Sequence, residues 1–165
     1  MKFLSERNVK LHNEFLRSLR LRLSIIEKSY PYITGKSARE ISRMRFDSRD
    51  EAVDLICNIG CHEIFFSSFS DARVPSENAR RGFGSESGFL YELYESAKES
   101  REEFMFVYLD SGRICYHTGS RLCYLNKKRA VLAIDLCEHS YFLDYGFDKR
   151  AYVENALSYF DFSTI

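Results

Sequence analysis

Tryptophan is absent from this chain, and proline occurs only twice, at Pro31 and Pro75. All ring packing must therefore come from its 14 Phe and 11 Tyr. There is no excess of charge of either sign: 24 basic and 24 acidic residues cancel. No global field attracts nucleic acid or a membrane surface, and neither is expected as a partner. No apolar run approaches the roughly 20 residues that span a bilayer. The opening MKFLSERN lacks the apolar centre of a secretory signal, so none is expected. The five cysteines are odd in number. Cys57 and Cys61 are four positions apart and Cys115 and Cys123 eight apart, and neither spacing is read as a zinc-finger pair. Without a disulfide framework, a reduced cytoplasmic setting is expected. Histidine is scarce too: His12, His62, His117 and His139 are the whole set. The length of 165 residues suits one domain, or two small ones sharing a core.

The stretch around which the rest is organised is VLAIDLCEHSYFLDY, Val131 to Tyr145. Its apolar start is too short for a free-standing helix and reads as a buried strand. The strand ends on the carboxylate of Asp135, and the imidazole of His139 follows four residues later. Two such groups at the end of a buried strand can meet at one point and hold a redox-active ion. An ordinary ion pair in a strand-to-helix corner would give the same pattern.

The rest of the chain supplies helical periods before this stretch. Ser5 is placed to cap a helix. Val9, His12, Leu16, Leu19, Leu23 and Ile26 then alternate by three and four, which puts them on one apolar stripe. Pro31 ends that helix. Residues 32–48 are polar and basic, a connection with a short helix expected around Ala38 to Met44. A second long helix is expected from Ser48, with Ala52, Leu55, Ile59, His62, Phe66 and Phe69 on its stripe. The two helices should form an antiparallel hairpin, spanning residues 1–72. Each stripe carries one histidine, and a buried imidazole needs a partner.

Residues 73–165 read as an α/β unit. A short helix leads to a break at Phe83-Gly84-Ser85 and a helix from Ser85 to about Ser100. Phe104 to Leu109 and Ile114 to His117 form a β-hairpin around Asp110-Ser111-Gly112. Ala130 to Leu136 is a third strand, and Lys149 to Phe160 a last helix. The fold class is α+β: an N-terminal antiparallel helical hairpin, then an α/β half with a three-stranded antiparallel sheet. Three histidines and one aspartate from separate elements form a donor set that suits a first-row metal and leaves a position open for a small ligand.

Four stretches resemble the iron/manganese superoxide dismutase family. DLCEHSYFLDY is similar to that family's strand-to-helix motif, RRGFGSESGF to its FGS segment, HEIFFSSF to its second-helix motif and LSERNVKLHNEF to its first-helix motif. The resemblance implies one iron or manganese ion held by His12, His62, Asp135 and His139, between the two halves of the chain. It implies superoxide as substrate, disproportionated to dioxygen and hydrogen peroxide. It also implies a homodimer joined through Glu138 and His139.

Several positions depart from the family pattern. Phe66 and Cys137 stand where the family places tryptophans beside the metal, and Glu103-Phe104-Met105-Phe106 replaces its glycine-rich strand start. Its outer histidine, gateway tyrosine and cross-dimer tyrosine fall on Leu16, Arg20 and Phe142. Arg20 at the gateway would attract an anionic substrate, or belong to a solvated helix face with Arg17 and Arg22. The family's funnel arginine falls on Lys149 or Arg150. The partner of the metal-bound solvent falls on Asn58 by the helix route or on His117 by the strand route, His117 being preferred. Cys137 is expected to pack rather than ligate. With this outer layer altered, the competing expectation is a metal-binding protein of the same scaffold with little turnover.

Overall fold

A computed structural model describes residues 2–29, 31, 33–36, 40, 51–70, 77–121 and 130–164. The expected short helix around Ala38 to Met44, the Ser48 cap, Pro75, Cys123 and the boundary between residues 72 and 73 lie outside the described residues.

Helix α1 spans Glu6–Ile26. Ser5 caps it, its Oγ accepting from the Asn8 amide at 3.2 Å, and a 3-10 turn, Glu27–Ser29, closes it before Pro31. Helix α2 spans Glu51–Ser67. Leu16 and Leu19 of α1 pack with Ala52, Leu55, Ile56 and Ile59 of α2 in one buried cluster, which also holds Ile33. The hairpin is held by these interlocking stripes. Complete burial of one Leu or Ile is worth ~1.5–3 kcal/mol. His12 and His62 ride on the same stripes and are carried inside at 2% and 1% exposure.

Helices α3 (Glu77–Phe83) and α4 (Glu86–Ala97) lead to strands β1 (Phe104–Asp110), β2 (Arg113–Gly119) and β3 (Ala130–Asp135). The chain is α+β, with a three-stranded antiparallel sheet in the order β2-β1-β3. Placing β1 in the middle has a direct effect on the site. Phe104 pairs with Asp135 on one side and Gly119 on the other, while Phe106 pairs with Ala133 and His117.

Side chains alternate across the sheet. Met105, Val107, Leu132 and Ile134 face a core that includes Phe89, Leu93, Tyr152 and Val153. Phe104, Phe106 and Ala133 share the opposite face with Cys61 of α2. The sheet is thus enclosed by α2 on one side and by α4 and a last helix on the other. After β3 comes α5, Glu138–Tyr145, ended by Gly146 at a φ of 57°. Glycine enters that region without the clash a Cβ would bring. Asp148 caps the last helix, α6 (Lys149–Leu157), accepting from the Ala151 amide at 3.0 Å.

Candidate metal centre

Four side chains from four elements converge between the hairpin and the sheet: His12 of α1, His62 of α2, Asp135 of β3 and His139 of α5. One donor atom from each lies within 4.8 Å of all the others. Asp135 is the last residue of its strand. Its Oδ1 accepts from the Cys137 amide at 2.9 Å, which turns Oδ2 toward the imidazoles. That oxygen lies 3.5 Å from His12 Nε2, 3.3 Å from His62 Nε2 and 3.0 Å from His139 Nε2. His62 Nε2 and His139 Nε2 are 3.4 Å apart.

These distances fit a single bound ion. Donors held at about 2.0–2.2 Å from one centre stand about 3.0–3.6 Å apart for bond angles between 90° and 120°. His12 Nε2 and Asp135 Oδ2 are also buried without a hydrogen-bond partner. Orphaned buried polar atoms are rare because desolvation goes uncompensated. Two of them facing each other fit a cation between them.

The surroundings prepare the set for such a cation. His62 Nδ1 meets the Asn58 carbonyl at 2.7 Å. The nitrogen must carry its proton there, so the lone pair sits on Nε2, toward the site. Phe65 stacks on His12 and Phe66 meets it edge-on, both with ring centroids 5.0 Å away. Phe104 stands edge-on to His62 at 5.6 Å. Burial opposes the charged form of Asp135, but the three imidazoles outweigh it and hold the carboxyl well below its usual range. Burial also lowers His12, partly offset by Asp135. For His139 the same two effects end the other way, and its net shift is upward. Its side chain is 42% exposed, while those of His12 and Asp135 are fully enclosed.

Cys137 lies outside the donor group. Its thiol donates weakly to the Glu103 carbonyl at 3.7 Å, and burial, then Asp135, push its pKa up. Arg20 is exposed and paired with Glu63 at 2.9 Å. Asn58 reaches the site through its carbonyl. His117 shares a sheet face with Ala133 and Asp135 by register, but β1 lies between. Its ring packs edge-on to Phe106 at 5.9 Å and Tyr108 at 6.3 Å, and two strand spacings, roughly 10 Å, separate it from β3. Leu16 is buried in the hairpin core, and Phe142 is exposed, edge-on to Phe147 at 5.2 Å.

Of the two cations at the start of α6, Lys149 is half-buried. Its Nζ donates to the Ser100 carbonyl at 2.7 Å, and burial lowers its pKa against the opposing pull of Cys137 and Asp135. Arg150 is exposed and paired with Glu99.

Three features have no counterpart in the sequence reading. Phe15 lies against His62 and His139, with centroids at 5.4 Å and 5.1 Å. Its position three residues after His12 places it on a neighbouring face of α1, the one signal that could have found it. The buried Tyr152 hydroxyl donates to the Asp135 carbonyl at 2.7 Å. Arg121 joins Asp54 and Glu103 beside the site.

No curated protein matches this chain. Residues 76–165, more than half of it, match the sequence model of iron/manganese superoxide dismutases, C-terminal domain. That segment holds Asp135 and His139, and the hairpin that completes the donor set lies ahead of it. The chain belongs to the iron/manganese superoxide dismutase family.

Proposed function

We propose that this protein disproportionates superoxide to dioxygen and hydrogen peroxide at a single iron or manganese ion held by His12, His62, Asp135 and His139. The observation that supports this most is the convergence of four donors, with His12 Nε2 and Asp135 Oδ2 buried and unpartnered. When bound, the ion supplies one-electron chemistry, cycling between its trivalent and divalent states.

The chain's own residues do the remainder. Asp135 gives the three imidazoles one compensating negative charge, which moderates a trivalent centre. Asn58 fixes the His62 tautomer. Phe65, Phe66 and Phe104 keep bulk water from the imidazole faces. Lys149 and Arg20 give positive potential for an anionic substrate, though Glu63 offsets much of the Arg20 charge. His117 is the one imidazole left free of the ligand set, and a role for it in proton supply would run past Phe106.

A second reading keeps the metal and drops most of the turnover. Among the described residues, the rings other than the ligands' own that pack on the ligand imidazoles are Phe15, Phe65, Phe66 and Phe104. None can donate a proton, and peroxide release consumes two. The two readings separate in a xanthine-oxidase-coupled assay on protein loaded separately with iron and manganese. Dismutation requires superoxide removal well above the metal-free protein and its loss in His62→Ala. Stoichiometric metal without such removal selects the second reading.

We also place a homodimer contact on α5, where Glu138 and His139 are exposed beside Phe142, Leu143 and Phe147. Phe147 is 88% exposed. Phe147→Asp should shift the protein to a monomer in analytical ultracentrifugation. An unchanged sedimentation coefficient would move the interface elsewhere.

A further inference from the structure

Arg121 follows β2, and its guanidinium forks onto one carboxylate of α2. Nε donates to Asp54 Oδ1 at 2.7 Å and Nη2 to Oδ2 at 3.4 Å. Nη1 is paired with the Glu103 carboxylate, and the Arg121 amide donates to Glu103 Oε2 at 2.8 Å. The main chains of the same two residues hold the neighbours of two ligands. The Cys61 thiol donates to the Arg121 carbonyl at 3.6 Å, and Cys61 precedes His62. The Leu136 amide donates to the Glu103 carbonyl at 2.8 Å, which also receives the Cys137 thiol. Leu136 and Cys137 follow Asp135. One ionic unit therefore touches the chain beside a ligand of α2 and beside a ligand of β3.

We propose that Arg121, clamped between Asp54 and Glu103, is a positioning residue that sets the spacing of His62 from Asp135 and balances the charge behind them. The proposal rests on the metal-centre reading above. The planar fork gives direction that a point charge cannot. The unit's two carboxylates and one guanidinium carry one net negative charge, so each member biases the neighbouring centre with a known sign. All three side chains are about a third or more exposed, so solvent screens the charge effect. The positional effect runs through the partly sheltered main chain.

The test uses the full chain with Arg121→Gln, Arg121→Lys and Glu103→Gln, each loaded with iron or manganese. Metal affinity is read by chelator competition and the reduction potential by mediated redox titration. Arg121→Gln should weaken metal binding about 10–100-fold, the size typical of lost support around ligands. It should also lower the potential, since removing a cation favours the trivalent state. Glu103→Gln should raise the potential. Arg121→Lys should hold the potential near wild type yet lose much of the affinity, because an ammonium cannot fork. Unchanged affinity and potential in Arg121→Gln would overturn the proposal. So would potentials that move in the same direction in Arg121→Gln and Glu103→Gln, which a merely structural role allows. If Arg121→Gln does not fold, the other two variants decide by the same signs. Missing turnover leaves both readouts intact. Failure of the wild type to bind either metal would instead remove the metal-centre reading and this inference with it.

Discussion

Asn8 donates its side-chain amide to Asp144 at 3.0 Å, across 136 positions of sequence. The same amide group donates to the Ser140 carbonyl at 3.0 Å, and the Ser5 amide donates to Asp144 at 2.9 Å. The first turn of α1 is thereby fastened to α5, next to His139. The hairpin and the α/β half are fixed to each other where both supply donors to the candidate metal centre.

Removing that fastening should be felt in stability. Asp144→Asn keeps the shape and loses the charge, and should lower stability by about 1 kcal/mol at neutral pH, the net worth of a hydrogen bond to a charged group in a partly exposed setting. Burial raises the pKa of this carboxyl, but Ser5 and Asn8 outweigh it, and the net shift is downward. Its stabilisation is therefore complete above the unfolded value of about 3.9 and is lost as pH falls through the lower folded value. Thermal melts of the two proteins should converge between pH 4 and lower pH. A constant gap down to strongly acid pH would contradict the assignment.

Metal content follows from the four donors. His62→Ala and Asp135→Ala should each abolish stoichiometric iron or manganese, since each leaves a buried set one ligand short. Elemental analysis of the purified variants decides this. Full occupancy in both would refute the ligand set.

The thiols should separate by accessibility. Cys57 and Cys61 are enclosed, and burial, then Asp54, push the Cys57 thiol up to about 12. Cys137 is pushed up in the same manner. Alkylation of the folded protein at pH 8, read by mass spectrometry, should, among the four cysteines of the described residues, modify Cys115 first and leave Cys57, Cys61 and Cys137 unmodified. Cys137→Ser should leave the metal's electronic spectrum without a lost sulfur-to-metal band.

Phe15 flanks His139, the one exposed member of the donor set. Phe15→Ala should speed extraction of the metal by EDTA about 10-fold, within the range for altered surroundings of a metal site, while leaving stoichiometry at one ion per chain. An extraction rate equal to wild type would make Phe15 an ordinary surface ring.

Much of this arrangement was legible in the sequence because it is written locally. The three-and-four spacing of α1 carries His12 inward with Leu16 and Leu19, and the Ser5 cap is where its residue type places it. The strand period around Phe104, Ile114 and Ala130 gave all three strands, each to within a few residues of its observed ends. Asp135 closing an apolar run and His139 one turn later marked the corner. What stayed hidden is non-local. Arg121 looks like a stray basic residue after a glycine break, and its meaning comes from carboxylates 67 and 18 positions away. Asn8 reads as a polar intrusion on a helix until α5 is packed against it. The place of β1 between its neighbours, which sets His117 apart from Asp135, follows from strand order, and no residue pattern encodes that order.

His12 and His62 come from the hairpin, Asp135 and His139 from the other half, and His139 is made 77 residues after His62. During translation the hairpin emerges first, at a rate of about 5–20 residues per second. For several seconds it presents two imidazoles and no carboxylate from this set. On the proposed ligand set, the complete site exists only once both halves have been synthesised.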